Sequence, residues 1–250
     1  MNGMELRRLE ELAVRTARSG RCQFTRFLEP NMAVSVRAAA NQAGVRAAFM
    51  GGYADAERCI AAFYEDEPPE IWEYPMETLR ISWHARYASP GHRDLLGALM
   101  GLGIERDMTG DIAMGEYRDS PCAYLFVMPE VAEYIIGNFE SAGRAAVKVQ
   151  RADETPVISP PEGEHMRITV QNMRLDAILA AGCRLSRGEA QKLINAGLVK
   201  LNHAEQLKCD ARIEEGDLIS ARGYGRMKVA EVQGETRKGR QGVLVFRYGK

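Results

Sequence analysis

The sequence has no long apolar run. The stretch from Leu95 to Leu102 is interrupted by glycines, and no segment approaches the ~20 apolar residues that a membrane-spanning helix needs. The first 19 residues carry charges throughout, so they lack the apolar stretch of a secretory signal. We therefore expect a cytoplasmic protein that makes no contact with a membrane.

Cysteine and histidine are scarce and scattered. The five cysteines are an odd number and include no Cys-x-x-Cys pair, which argues against a disulfide framework and against a zinc site. The four histidines do not form a His-Glu-x-x-His pattern. We predict reduced thiols, no metal and no other cofactor.

The composition is that of a folded protein, and 250 residues suffice for two ordinary domains. Charge is divided unequally along the chain. Residues 1–164 hold 17 Lys+Arg against 25 Asp+Glu, whereas residues 165–250 hold 16 against 9. Residues 153–164 include three prolines and four acids, which is typical of a semi-rigid linker. We predict an N-terminal domain over 1–152, this linker, and a basic C-terminal domain over 165–250.

Helical and strand patterns alternate in the N-terminal domain. Spacings of three and four between apolar residues predict helices, and short apolar runs predict strands. Such interleaving indicates an α+β or α/β fold, and we favour a small mixed sheet with helices on one face. The predicted helices are Met4–Arg18, Pro30–Ala43, one beginning at Asp55, His92–Leu102 and Pro129–Phe139; the predicted strands are Val45–Met50, Ile71–His84, Ile112–Met114 and Ala123–Met128.

Several charged residues beside glycine-rich turns in this domain could be taken for an active site. No nucleophile elbow, dinucleotide fingerprint or complete set of kinase motifs accompanies them. We predict that they form ion pairs and caps, and that the two leading glycines are turn residues with positive φ. This structural set is Gly51, Gly52, Arg58, His92, Arg93, Asp94, Arg106 and Asp111.

The C-terminal domain contains a capped helix with a basic start. Ser186 and Glu189 have the spacing of a capping box, which places the first turn of a helix at Arg187. A helix N-terminus attracts phosphate, and three cations, Arg184, Arg187 and Lys192, surround this one. The pattern favours a nucleic-acid backbone as partner, with an ordinary solvated surface as the alternative.

Two glycine-rich basic strings follow, over residues 222–226 and 237–240. Their glycines would let the backbone approach RNA, and Tyr224 would stack on an unpaired base. The alternative is a pair of solvated hairpin loops.

This domain resembles the small αL RNA-binding module first described in ribosomal protein S4. The matching residues are Ser186, Arg187, Ala190, Lys192, Leu193, Ile194, Gly197, Val199, Asn202, Gly216 and Asp217. The resemblance implies that two short helices and a hairpin present a basic surface to structured RNA. The predicted RNA-binding set is Arg174, Arg184, Ser186, Arg187, Gln191, Lys192, Lys200, Asn202, Arg222, Tyr224, Arg226, Arg237, Lys238 and Arg240.

Most of the chain is also similar to the YlmH-like family. The matching strings are Gly51–Tyr53, Ala56–Arg58, His92–Asp94, Leu96–Ala98, Leu102–Ile104, Gly110–Ile112, Arg222–Arg226 and 236–240. The resemblance implies an RRM-like, ferredoxin-like domain over residues 44–152, preceded by a helical segment over 1–43. It also implies a bacterial, ribosome-associated protein; family members in Gram-positive bacteria are associated with rescue of stalled large subunits that carry peptidyl-tRNA, and a link to cell division has also been made. We predict a monomer. No RNP-type aromatic string is present, so the sequence does not indicate that the sheet of the RRM-like domain binds RNA, and a contact of this domain with protein or with a second RNA element stays open.

Three functions remain open. The leading hypothesis is a non-enzymatic factor that binds structured ribosomal RNA or tRNA. The second is an RNA-modifying enzyme, because Arg174-Leu175-Asp176 imitates a pseudouridine synthase string; the methyltransferase version lacks a cofactor glycine loop. The third is an adaptor whose basic domain contacts an acidic protein.

Overall fold

The computed structural model describes residues 3–54, 56–86, 88–235 and 239–249. The chain forms two compact units, Met1–Ser159 and Pro160–Lys250. Within the described residues, no helix combines the length and apolar character needed to cross a membrane.

The first unit begins with a three-stranded sheet backed by two helices. The strands β1 (Gln23–Leu28), β2 (Arg46–Met50) and β3 (Cys59–Tyr64) are ordered β1-β3-β2, and the helices are α1 (Gly3–Ser19) and α2 (Ala33–Ala43). Leu9 and Ala13 of α1 pack with Val36 of α2 and Phe63 of β3. Spacings of three and four place the apolar residues of each helix on the face that meets the sheet.

The predicted helix after Gly52 is wrong in its described part. Its predicted start at Asp55 lies outside the described residues, and the stretch beyond it forms β3. This strand is central in its sheet, so all four residues from Ile60 to Phe63 are buried. A strand buried on both faces shows no alternation, and periodicity alone does not separate it from a buried helix.

The rest of the first unit is a ferredoxin-like βαββαβ fold. Its core elements are β4 (Glu77–Trp83), α3 (His92–Gly101), β5 (Thr109–Tyr117), β6 (Ser120–Val127), α4 (Pro129–Asn138) and β8 (Ala145–Arg151). The strand order is β8-β4-β6-β5, with the short strands β7 (Ser141–Ala142) and β9 (Val157–Ile158) at the two edges. Leu95 and Leu99 of α3 and Ile135 of α4 pack on one face of this sheet. Every strand pair of the described chain is antiparallel, so the α+β class is confirmed and the mixed sheet is corrected.

The other face of the ferredoxin-like sheet is covered by the three-stranded sheet. Tyr124 and Phe126 of β6 pack with Phe27 of β1 and Ile60 of β3, and all four are almost fully buried. Two of our subdomain boundaries therefore differ from the structure. The segment 1–43 contains β1 as well as helices, and residues 46–64 belong to the covering sheet rather than to the RRM-like fold.

The predicted linker does not behave as a spacer along its whole length. Glu154 accepts two hydrogen bonds from Arg80, at 2.6 and 2.7 Å, and a third from the Tyr124 hydroxyl at 3.2 Å. The strand β9 then pairs with β5 of the first unit. Residues 153–158 are thus part of the first unit's structure.

The second unit is a six-stranded antiparallel sheet with two helices on one face. The elements are β10 (Gly163–Val170), α5 (Leu175–Cys183), α6 (Arg187–Asn195), β11 (Val199–Leu201), β12 (Ala204–Glu205), β13 (Leu218–Ala221), β14 (Gly225–Glu235) and β15 (Gln241–Tyr248). The sheet order is β10-β15-β14-β13-β11-β12. Ile178 of α5 and Ile194 of α6 share one core with Ile219, Val229 and Val245 of the sheet.

Candidate nucleic-acid interface

The start of α6 has the capping box that the sequence predicts. The Ser186 hydroxyl accepts the backbone N–H of Glu189 at 3.2 Å, and the Glu189 carboxylate accepts the backbone N–H of Ser186 at 2.8 Å. The Ser186 hydroxyl also donates to the Glu189 carboxylate at 2.7 Å, and this bond, together with that from the Ser186 backbone N–H, holds the pKa of Glu189 below its ordinary value. These bonds also fix the point at which α6 begins, so its first free amides have a defined direction.

The turn that leads into α6 exposes a cation. Helix α5 ends at Cys183, and Arg184 takes a left-handed conformation with φ 56°. The N–H of Leu185 closes the turn on the carbonyl of Ala180 at 2.8 Å. Arg184 is exposed, as are Arg187 and Lys192 on the adjoining helix.

A buried carboxylate connects three residues of the predicted RNA-binding set. Asp176 has no solvent-exposed surface. It accepts hydrogen bonds from Arg174 at 3.1 and 3.2 Å, from Arg187 at 3.1 and 3.2 Å, and from Gln191 at 2.9 Å. Burial by itself would raise the pKa of Asp176, but the bonds from Gln191, Arg174 and Arg187 outweigh it and leave the pKa lowered.

Sequence reasoning missed this role of Asp176 and noted it only as part of a catalytic-looking string. The available signal was its position between Leu175 and Leu179 on a predicted helix with a buried face. A carboxylate there needs partners because an unpaired buried charge is costly. The partners available to this carboxylate were Arg174 and the basic residues at the start of α6.

Other predicted residues lie elsewhere in the second unit. Lys200 and Arg226 belong to strands, and the pairing of Lys200 with Ser220 and of Ser220 with Arg226 places all three on one face of the sheet. This face is opposite to the one that packs on α5 and α6, because the core residues Val199 and Met227 alternate with them. The structure thus divides the predicted set between a helix side and a sheet side.

Asn202 has a function within the fold. Its amide nitrogen donates to Asp217 at 2.7 Å, and its amide oxygen accepts the N–H of Leu218 at 2.9 Å. These bonds hold a turn in which Asn202 has φ 48°. Asparagine tolerates this conformation better than most residues.

In the basic string over residues 222–226, residues 222–224 form a tight turn between β13 and β14, and the last two residues begin β14. Arg222 is exposed, and Gly223 and Gly225 have positive φ of 85° and 91°. Tyr224 is half-buried and packs against the core of the unit, which differs from the predicted stacking platform. Of the second string, Arg237 and Lys238 lie outside the described residues, and Arg240 is exposed.

Part of the predicted structural set forms one polar cluster in the first unit. Arg58, which is 4% exposed, donates to the carbonyls of Thr109 and Arg106 at 3.0 and 2.8 Å and pairs with Glu29. Asp111 accepts the N–H groups of Glu57 and Arg58 at 2.7 and 3.3 Å, and the hydroxyl of Tyr53 at 3.2 Å. These bonds connect the three-stranded sheet to the start of β5.

Gly51 and Gly52, which also belong to the predicted structural set, are required for different reasons. Gly52 has φ 93°, and a Cβ there would lie 2.2 Å from the ring of Phe126. Gly51 does not have a positive φ, contrary to our expectation; a Cβ there would lie 2.3 Å from Ala56 and 2.6 Å from the carbonyl of Arg58. Close packing explains Gly51 without any special backbone conformation.

The remaining members of that set lie at the start of α3. His92, Arg93 and Asp94 are all exposed. Asp94 accepts the N–H of Gly91 at 2.9 Å and caps the helix. Asp94 therefore caps the helix from an exposed position.

The described residues contain no group of three or more His, Cys, Asp or Glu side chains arranged to hold a metal ion.

A ferredoxin-like domain followed by a unit with two short helices, a capped basic helix start and a hairpin defines an RNA-binding protein of the S4-domain class. The S4 domain family matches residues 173–219, and the family described as “Putative RNA-binding domain in YlmH” matches residues 69–155.

A Bacillus subtilis (strain 168) relative, the ribosome-associated protein quality control protein P2, is 34% identical over 220 residues. The match covers 87% of this chain and 84% of the relative. The chain belongs to the YlmH family. A solved structure, the cell division protein ylmH from Streptococcus pneumoniae, is 20% identical with a TM-score of 0.45, over 61% of this chain and 93% of that chain.

Proposed function

We propose that this protein is a non-enzymatic factor that binds structured RNA on the large ribosomal subunit. The observation that carries the proposal is the ordered basic surface of α6, where Arg184 and Arg187 are exposed at a capped helix N-terminus and Lys192 is exposed in the last turn of the same helix. Arginine pairs bidentately with phosphate, and oriented helix amides add a favourable field. The printed name of the Bacillus relative, a ribosome-associated quality control protein, supports the ribosome as the location.

The bonds to Asp176 favour recognition of a folded RNA. They anchor Arg174 and Arg187 before any RNA arrives, so less side-chain entropy is lost on binding. Pre-oriented cations on a rigid helix start suit a fixed arrangement of phosphates, as structured RNA presents them. We propose that the binding partner of this protein is the large subunit stalled with peptidyl-tRNA in the cytoplasm, and that one copy of the chain binds each subunit.

Burial of Asp176 argues against the modifying-enzyme alternative. A catalytic aspartate has to reach the base on which it acts. Asp176 has no exposed surface, and its carboxylate is engaged by three side chains. We therefore assign Arg174-Leu175-Asp176 to the architecture of the second unit.

Coverage of the ferredoxin-like sheet in the first unit supports the proposal that the second, S4-type unit is the part that binds RNA. RRM-type domains stack bases on aromatic residues of an open sheet face. Here the corresponding aromatics, Tyr124 and Phe126, are fully buried beneath β1 and β3. The first unit thus does not offer this platform.

The test is binding of the full chain to purified large subunits and to large-subunit RNA, with Lys192→Ala as the variant. Lys148→Ala removes an exposed lysine from β8 of the first unit and serves as the charge-matched control. We expect weaker binding only for Lys192→Ala. Equal binding by both variants would contradict the proposed interface, and a modified nucleoside found by chromatography of the digested RNA after incubation, pseudouridine included, would revive the enzyme alternative.

Two comparisons test the finer parts of the proposal. Large subunits that carry peptidyl-tRNA should bind the chain more tightly than empty ones. Association that survives RNase treatment would instead favour the adaptor hypothesis.

A further inference from the structure

The second unit has a sheet face that carries aromatic and basic side chains and is turned away from its helices. Strand pairing places His165 opposite Phe246, and Phe246 opposite Lys228. Tyr248 lies two residues beyond Phe246 on the same face. We call these residues, together with Arg226, the outer sheet face.

The rings of this face form a contiguous row. The ring centroids of His165 and Phe246 are 5.1 Å apart, and those of Phe246 and Tyr248 are 5.0 Å apart. The guanidinium carbon of Arg226 lies 5.1 Å from the centroid of the Tyr248 ring. His165 and Arg226 are exposed, while Phe246 and Tyr248 are half-buried.

The charges around the rings favour a polyanion. Arg167 on β10 and Lys200 on β11 lie on the same face, because each alternates with core residues of its strand. With Arg226 and Lys228 they make four cations, against the two acids Glu205 and Glu231 that the strand pairing places on this side. Interleaved cations and aromatic rings are the combination with which proteins bind single-stranded nucleic acid.

We propose that the outer sheet face binds unpaired nucleotides of the RNA that the basic start of α6 engages. The ring of Phe246 stacks on a base, and the surrounding cations hold the phosphates on either side. His165, Arg226, Lys228, Phe246 and Tyr248 all lie outside residues 173–219, so this surface is separate from the segment that matches the S4 domain. The inference rests on the proposed RNA-binding function and adds a second RNA element to it.

Phe246→Leu in the full chain tests the proposal, because it keeps an apolar side chain against the sheet but removes the aromatic face. The probes are a fluorescent oligouridylate, which is unpaired, and an RNA hairpin whose stem is fully paired and whose loop is a non-nucleotide linker. We expect Phe246→Leu to weaken oligouridylate binding about tenfold, the lower part of the range for loss of one stacked base. Hairpin binding should not change.

Three controls separate the outcomes. Leu244→Met alters an aliphatic neighbour on the same face of β15 and should leave both probes bound. Lys192→Ala should weaken hairpin binding, and failure of the wild-type chain to bind the hairpin would contradict the proposed function itself. Phe246→Trp restores an aromatic face and should restore oligouridylate binding even if the leucine variant is less stable.

Wild-type chain that binds the hairpin but not the oligouridylate overturns this inference alone. Equal oligouridylate affinity of Phe246→Leu and wild type, or lack of rescue by Phe246→Trp, also overturns it. A thiouridine-substituted oligonucleotide should crosslink to β10 or β15. Crosslinks confined to α5 and α6, or binding of an acidic peptide in place of RNA, would refute it as well.

Discussion

Arg187 at the start of one helix donates two hydrogen bonds, at 3.1 and 3.2 Å, to the fully buried carboxylate of Asp176 in the preceding helix. Half of the Arg187 side chain nevertheless remains exposed to solvent. A single guanidinium can thus stabilise the protein and still present donors to a ligand, since it has five N–H groups.

Arg187→Ala and Lys192→Ala should therefore differ in their effect on stability. Each should weaken RNA binding and lower the slope of log affinity against log salt by about one. Arg187→Ala should also cost about 1–3 kcal/mol of unfolding free energy, because a buried carboxylate loses a partner. Salt titrations combined with calorimetry check both effects. An equally stable Arg187→Ala protein would show that Asp176 does not depend on this bond.

The lowered pKa of Asp176 predicts how stability depends on pH. A carboxyl group whose pKa is lower in the folded state stabilises the fold above its unfolded-state pKa, near 4, and loses that contribution as pH falls through the folded-state pKa. Wild type should therefore unfold more readily below about pH 4. Asp176→Asn should be less stable at neutral pH, and its difference from wild type should shrink in acid. A constant difference across this range, measured by calorimetry, would refute the assignment.

Substitutions of Asp94 and Asp111 should distinguish an exposed helix cap from a half-buried hydrogen-bond acceptor. Asp94→Ala removes the cap on Gly91 and should cost about 1 kcal/mol. Asp111→Ala leaves two backbone N–H groups and a tyrosine hydroxyl without their acceptor, so it should lower the thermal midpoint several degrees further. Melting curves of the two variants, recorded side by side, provide the measurement. Equal thermal midpoints of the two variants would contradict the role of Asp111 as the acceptor for two backbone N–H groups and a tyrosine hydroxyl.

Glycine-to-alanine changes test the contact between the two sheets of the first unit. A Cβ at Gly110 would lie 2.5 Å from the ring of Phe27, so Gly110→Ala should destabilise the protein by about 1–3 kcal/mol. Gly97, inside α3, has no heavy atom within 4 Å of such a Cβ, and Gly97→Ala should stabilise it by about 0.5–1 kcal/mol. Urea unfolding measures both changes. A Gly110→Ala protein as stable as wild type would contradict the close contact with Phe27.

The sequence predicts elements whose signals are local. Ser186 and Glu189 fix the start of α6 because a capping box needs only four residues. The sequence of Cys59–Tyr64 predicts a helix where the structure has a strand, because burial of this segment on both faces depends on β1 and β2, which are distant along the chain. A local sequence pattern contains no information about a neighbouring strand that is distant along the chain.

The candidate interface could be predicted only in part for the same reason. The cations at the start of α6 are close in sequence, whereas the outer sheet face joins strands separated by up to about eighty residues. Tyr224 and Tyr248 both look suitable for stacking in the sequence. Only the register of β14 and β15 shows that Tyr248 lies beside Arg226 while Tyr224 packs against the core.

Coverage of Tyr124 and Phe126 by β1 and β3 has a consequence for dividing the chain into fragments. The family match over residues 69–155 begins after both covering strands. A fragment cut at that boundary would expose the aromatic face of β6 to water, and a contiguous apolar patch of this kind promotes self-association. The unit that folds independently should begin at α1, and truncations between α1 and β4 should yield aggregating rather than smaller functional proteins.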